Sequence, residues 1–123
     1  MQSIELTVPR EREFSAVADL VLAGLASRLD LTLETIDDLQ LALDTLLEHE
    51  EGGSDVTVRF ELADGAIHAV VGPFERKRIE LELAGADAPG IGLRRLLDAT
   101  VDAVELSERD GGCWVVLHKE VTA

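Results

Sequence analysis

Two glycines, Gly90 and Gly92, stand directly before a leucine-rich stretch that begins at Leu93. Glycines at a helix start let the backbone come close to a ligand, and the exposed N–H groups there attract anions. The pair could therefore hold a phosphate group, or it could form only a turn. The acidic neighbour Asp87 opposes anion binding, so we favour the turn-and-packing interpretation.

Two groups of basic side chains are candidates for contact with an anion or a partner. Arg94 and Arg95 fall in the first turn of the helix predicted after the glycine pair and could meet an anion there. The segment ERKR, residues 75–78, is the basic cluster of an otherwise acidic chain and could be a docking point. We favour solvated positions for both groups.

Isolated residues elsewhere have a reactive and a structural interpretation. His49, near a predicted helix end, could accept a phosphoryl group, but an exposed terminal histidine is favoured. His68 and His118 lie in predicted strands without a cysteine or carboxylate ligand pattern, so no metal site is predicted. Cys113 sits in an apolar run and is expected to be buried and inert. Trp114 is expected to pack in the core, whereas exposure would indicate an interface.

The composition is that of an acidic globular protein. The 123 residues are 46% hydrophobic and carry a formal net charge of −14. This charge excludes nucleic acids and anionic membranes as expected partners, since phosphates would be repelled. It suits a basic protein partner, or it serves only solubility. The first residues lack an apolar signal core, and no stretch is long enough to span a bilayer, so a cytoplasmic location is expected.

Apolar spacing in the first half predicts a strand and two helices. The segment SIELTV alternates apolar and polar residues, which indicates a strand ended by Pro9. Apolar residues then recur every three or four positions from about residue 10 to residue 29, as in an amphipathic helix. A second helix is predicted from the N-cap Thr32, with a buried stripe between Ile36 and Leu47.

The second half predicts mainly strands. The segments SDVTVRFEL and IHAVV flank Asp64–Gly65, a hairpin turn signal. The segment RKRIELEL, residues 76–83, is predicted to be an edge strand because its polar residues suit an edge. A helix is expected after Gly92 to about Thr100, followed by a closing hairpin of AVELSE and CWVVLHKEV.

The order of these elements predicts a single α+β domain over residues 1–123. Strands cluster instead of alternating strictly with helices, which indicates a two-layer sandwich. We expect a mostly antiparallel mixed sheet covered on one face by three helices. Five side chains are predicted to be buried between the layers: Leu43, Val56, Val58, Phe60 and Leu97.

Two long stretches resemble a known family in their order and spacing. These are LASRLDLTLETIDDLQLALD and GIGLRRLLDATVDAVELSERDGGCWVVLHKEV. They are similar to segments of the anti-sigma-factor serine kinases of the GHKL (Bergerat-fold, histidine kinase-like) ATPase superfamily. The resemblance covers nearly the whole chain, and it implies the GHKL fold and a role in regulating bacterial sigma factors.

The resemblance also implies where a nucleotide-binding helix would lie. Family members carry a glutamate, expected to be the catalytic base, and four residues later an asparagine that helps to hold Mg²⁺. Aligning DDLQLALDTLLEH on that helix puts Thr45 at the glutamate position and His49 at the asparagine position. Threonine is a poor general base, and imidazole is a poor Mg²⁺ ligand. Asp44 lies about 100° around the helix and cannot simply substitute.

Two further family devices are only partly present. An aspartate that binds the adenine amino group would fall at Val71 or Gly72, and neither side chain accepts a hydrogen bond. Pro73 adds rigidity there and removes an N–H. The family's second glycine box corresponds to Gly90 and Gly92, after a loop, LAGADAP, too short for a nucleotide lid. The residual nucleotide site would thus consist of Gly90, Gly92 and His49, with no catalytic residue and no metal ligand.

The resemblance therefore predicts a regulator that acts by binding proteins and has lost or weakened ATP binding. The expected partner is a sigma factor, an anti-sigma antagonist or a kinase-like relative, in a homodimer or a heterodimer. No cofactor is expected under this interpretation. Two alternatives stay open: an active serine-protein kinase that uses ATP and Mg²⁺, and a structural dimerisation module.

Overall fold

The computed structural model describes residues 2–9, 14–29, 31–48, 55–63, 65–84, 93–109 and 112–120. Within these ranges the chain forms five strands and four helices. In chain order they are β1 (Gln2–Pro9), α1 (Phe14–Leu29), α2 (Leu33–Glu48), β2 (Asp55–Ala63), β3 (Ala66–Phe74), α3 (Arg76–Ala84), α4 (Leu93–Thr100), β4 (Ala103–Arg109) and β5 (Gly112–Glu120).

The strands form one sheet in the order β1-β2-β3-β5-β4. Every neighbouring pair in this sheet is antiparallel. Gly65, between β2 and β3, has a φ of 73°, a left-handed conformation that glycine adopts without a steric penalty. The predicted α+β class is confirmed, and the sheet is antiparallel throughout the described strands instead of mixed.

The core lies between the sheet and the helices. α2 packs against α1 and α4, and α4 also packs against α3. Alternate residues of β2 point into this layer, as expected for a strand with one covered face. All five side chains predicted to be buried are at most 1% exposed, which confirms that prediction: Leu43, Val56, Val58, Phe60 and Leu97.

The prediction of an edge strand over residues 76–83 is wrong, since these residues form most of α3. Ile79 and Leu83 are buried, whereas Leu81 between them is 74% exposed. Burial four residues apart is the period of a helix, and alternate residues of a strand would share one face. An ion pair between Arg76 and Glu80, one helical turn apart, further supports the helix. The described residues therefore contain four helices instead of the predicted three.

Polar contacts fix α2 at its start and along its length. The Thr32 hydroxyl accepts a hydrogen bond from the backbone N–H of Thr35 at 3.2 Å, which confirms the predicted N-cap. Lys119 Nζ, in β5, donates to Asp38 Oδ2 at 3.1 Å and to the Thr100 carbonyl at 3.0 Å. This lysine therefore joins α2, α4 and the sheet.

The opposite face of the sheet carries a different set of side chains. Arg59 pairs with Glu5 across β1 and β2. The rings of His68 and His118, direct cross-strand partners, meet edge to face with their centroids 4.4 Å apart. None of the helices that the structure describes is long and apolar enough to cross a membrane.

Candidate nucleotide-site region

Thr45 occupies the half-buried flank of α2, away from the deepest core positions. Its hydroxyl donates a 2.7 Å hydrogen bond to the Leu41 carbonyl one turn earlier. The hydroxyl proton is thus engaged within its own helix, a common arrangement for threonine. A side chain held in this way, with no pKa near neutrality, is not suited to remove a proton from a substrate.

The other residues of the predicted site fall outside the described ranges. Gly90, Gly92 and His49 all lie there, and so does Asp87. Their assignment to a residual nucleotide site stays a prediction. The helix expected after the glycine pair is present as α4, which begins at Leu93.

The two arginines at the start of α4 have solvent-exposed side chains. Arg94 and Arg95 are both exposed. Arg94 Nε donates to Asp98 Oδ2 at 3.2 Å, an i,i+4 pair along the helix surface. These positions fit the solvated interpretation that the sequence favoured.

The end of β3 offers no carboxylate where the family resemblance expects an aspartate. Val71 is fully buried in the core. Gly72 lies under the indole of Trp114, and a Cβ added at Gly72 would stand 2.7 Å from Trp114 Cδ2. The space next to Gly72 is therefore filled by a ring. Trp114 is half-buried and packs on the sheet face opposite the helices. It is therefore neither buried in the core, as expected from the sequence, nor fully exposed, as an interface residue would be.

A cavity of about 450 Å³ opens beyond this point, where β3 and β4 end and β5 begins. The lining includes Phe74, Glu75, Arg76, Glu108, Arg109 and Cys113. Strand pairing brings them together, since Phe74 and Glu108 are both register partners of Cys113. Arg76 forms ion pairs with Glu80 and Glu108 at the mouth. The cavity thus has a buried floor and a charge-paired entrance.

Sequence reasoning identified only part of this cavity. Residues 75 and 76 belong to the segment ERKR, which the sequence marked as a basic cluster. Glu108 and Arg109 were not singled out, because nothing in their local spacing distinguishes them from other solvated strand residues. Only the register of β4 on β5 places them beside Arg76.

The thiol of Cys113 lies on the floor of the cavity and is buried, as predicted from its apolar surroundings. Burial raises the pKa of this thiol, and the charge of Arg76 opposes that shift only partly. A raised pKa leaves less thiolate at any given pH, and thiolate is the reactive form.

We therefore predict that Cys113 is unreactive in the folded protein. Alkylation by iodoacetamide at pH 7.5 should be at least about 100-fold slower than in denaturant. The native rate should keep rising with pH without levelling off below about pH 9, because the pKa is raised. Mass spectrometry after timed quenching gives both rates. Rapid labelling of folded protein at neutral pH would contradict the prediction.

The histidines of the sheet stand beside carboxylates. His118 Nε2 lies 3.4 Å from Glu105 Oε2, and His68 is the register partner of Glu61. Within the described ranges, no group of three or more His, Cys, Asp or Glu side chains has an arrangement that could hold a metal ion.

Helices on one face of a five-stranded antiparallel sheet define the α+β class to which this protein belongs. A solved structure of the RsbU and RsbW domains of Rv1364c from Mycobacterium tuberculosis superimposes with a TM-score of 0.70 over 98% of this chain. The sequence identity is 15%, and the chain spans 33% of that longer protein. The likeness shows a GHKL-like fold.

Sequence relatives indicate which proteins with a GHKL-like fold this chain resembles. The chain is 27% identical to the serine-protein kinase RsbW of Bacillus velezensis, covering 88% of this chain and 79% of the relative. It is 28% identical to RsbW of Halalkalibacterium halodurans, with 89% and 78% covered, and 26% identical to RsbW of Bacillus subtilis, with 88% and 79% covered. No family model matches the chain. The predicted resemblance to the anti-sigma-factor serine kinases of the GHKL superfamily is confirmed.

Proposed function

We propose that this chain is an anti-sigma-type regulator that acts by binding proteins in a bacterial partner-switching system, and that its ATP binding is lost or weakened. One observation carries the proposal. The chain is similar to RsbW serine-protein kinases over 88% of its length, yet Thr45 stands at the expected glutamate position. The Thr45 hydroxyl is bonded to its own helix.

The chemistry of ATP use supports this division between a retained fold and a weakened site. Phosphoryl transfer needs Mg²⁺ held by oxygen ligands and a group that orients or deprotonates the nucleophile. The aligned positions offer Thr45 and His49, and the end of β3 offers Val71 and Gly72. Neither pair supplies the carboxylates or the amide that such a site uses.

The proposed partner is a sigma factor, an anti-sigma antagonist or a kinase-like relative. The net charge of −14 favours a partner with a basic contact surface. Attraction between opposite charges accelerates association and weakens as salt screens it.

We predict that Mg·ATP binds this protein with a dissociation constant weaker than about 100 μM. Isothermal calorimetry with ATP and ADP at physiological Mg²⁺ measures it. The double variant Thr45→Glu, His49→Asn should bind Mg·ATP at least about tenfold more tightly if the two positions are aligned correctly. A wild-type constant of about 10 μM or tighter, a binding free energy of about −7 kcal/mol or more negative, would overturn the weakened-site proposal.

An active serine-protein kinase is the second candidate function. The cavity of about 450 Å³ lined by Phe74 favours it, because it opens two residues after Gly72, near where the resemblance expects the adenine-binding aspartate. The two candidates differ in one measurement. Purified protein, Mg·ATP and the antagonist from the same genome would yield phosphoserine under the kinase function, and only a stable complex under the binding function.

A further inference from the structure

The exposed positions that the structure describes on α1, within residues 19–27, carry small or apolar side chains and one serine. Its exposed positions include Leu20, Ala23, Gly24 and Ser27, and Leu20 is 73% exposed. No charged side chain is among these four. By contrast, the exposed positions of α3 include Arg76, Lys77 and Glu80. A leucine that stands in solvent on such a stretch offers apolar area that a partner could cover.

The neighbouring helix continues this apolar surface and adds acidic charge. On α2, Leu33 is 73% exposed and Leu41 is 48% exposed, with the exposed carboxylates of Glu34 and Asp37 between them in sequence. The 16 residues of α2 contain no Lys, Arg or His. Because α1 packs against α2, we infer that the exposed sides of the two helices adjoin. We call Leu20, Gly24, Leu33, Glu34, Asp37 and Leu41 the α1–α2 surface.

We propose that the α1–α2 surface binds a basic amphipathic helix of a partner protein. Exposed leucines supply apolar area for the leucine or isoleucine stripe of such a helix. Apart from its chain neighbours and the surrounding helix backbone, nothing lies within 4 Å of where a Cβ of Gly24 would stand, so another backbone can approach closely there. Glu34 and Asp37 then face the lysines and arginines that flank the stripe.

The charge distribution decides against the other possible occupants. A two-fold dimer through this surface would bury Glu34 and Asp37 of both copies, and the six residues of the surface include no cation to pair with these carboxylates. Carboxylates would likewise repel anionic lipid and nucleic acid. A basic helix gains from the same carboxylates, so charge complementarity selects it.

This inference rests on the proposed function and names the surface that the regulator would use. The probe is a synthetic amphipathic helix of about 18 residues with a leucine stripe and lysine flanks. We expect a dissociation constant of about 10 μM or tighter by fluorescence anisotropy at low salt. The affinity should fall at least about tenfold between 50 and 300 mM NaCl. A peptide of the same pattern with glutamate flanks should not bind.

Matched variants locate the binding surface. Leu20→Gln and Leu41→Gln should each weaken peptide binding at least about fivefold. Leu81→Gln, at a 74% exposed leucine of α3 among charged neighbours, should leave it unchanged. All three positions are exposed, so circular dichroism melts should show that the fold is retained. Equal effects of the three substitutions, or equal binding of the glutamate peptide, would overturn the proposal. So would a wild-type dimer, detected by analytical ultracentrifugation, that the Leu20→Gln substitution dissociates.

The same variants separate this inference from the proposed function. If purified sigma factor or antagonist binds the wild type and the Leu20→Gln and Leu41→Gln variants equally, only the assignment of the surface fails. If the lysine peptide binds at the α1–α2 surface but neither regulatory protein binds, the proposed function fails and the surface assignment stands.

Discussion

Phe60→Ala is expected to destabilise the protein by about 3–5 kcal/mol, because it removes a large aromatic ring from the centre of the core. Phe60 is fully buried on the helix-facing side of β2. Its cross-strand partners are Ile4 in β1 and Ala69 in β3, and the small Ala69 cannot fill the space that the lost ring would leave. The substitution removes apolar contact and leaves a cavity in a close-packed layer.

Urea unfolding followed by circular dichroism measures this effect. We expect a lower midpoint with an unchanged slope, and a fall of about 10–20 °C in the thermal midpoint. Leu81→Ala is the matched control, because Leu81 is 74% exposed and its truncation should change stability by less than about 0.5 kcal/mol. Equal losses for the two variants would contradict the burial of Phe60 in the core.

Gly72→Ala is expected to cost about 1–3 kcal/mol, although it adds only a methyl group. The added Cβ would stand 2.7 Å from Trp114 Cδ2 and 3.0 Å from Trp114 Cγ and Cε3. These atoms belong to the body of the indole, and Trp114 Nε1 is tied to the Arg109 carbonyl by a 3.2 Å hydrogen bond. The ring can therefore move only by giving up packing or that bond.

The single tryptophan of the chain makes this substitution easy to follow. Displacement of the Trp114 indole from β3 should shift its fluorescence emission to longer wavelength in the folded state, together with a lower urea midpoint. The control is Gly24→Ala, in the interior of α1, where the new Cβ would meet nothing within 4 Å apart from its chain neighbours and the surrounding helix backbone. That variant should gain about 0.5–1 kcal/mol, since alanine is the better helix former. Equal stability of the two variants would contradict the contact between Gly72 and Trp114.

The candidate site was accessible from the sequence only where a single segment carries the signal. The family resemblance of one segment, DDLQLALDTLLEH, was enough to place Thr45 and His49 at the glutamate and asparagine positions. The cavity beside Cys113 has no such signal, because Phe74, Glu108 and Cys113 come from three strands. Pairing across a sheet joins residues far apart in the chain, and no pattern within one segment encodes which residues will meet.

The sequence by itself determined the α+β class, the N-cap of α2 and the buried face of β2. Each of these depends on an unambiguous local period or on a capping residue within one segment. It did not determine the secondary structure of residues 76–83. Ile79, Leu81 and Leu83 fit the alternation of a strand, and Ile79 and Leu83 also fit the spacing of one helical turn. Only the tertiary structure decided between them, since Ile79 and Leu83 both join the hydrophobic core while Leu81 stays in solvent.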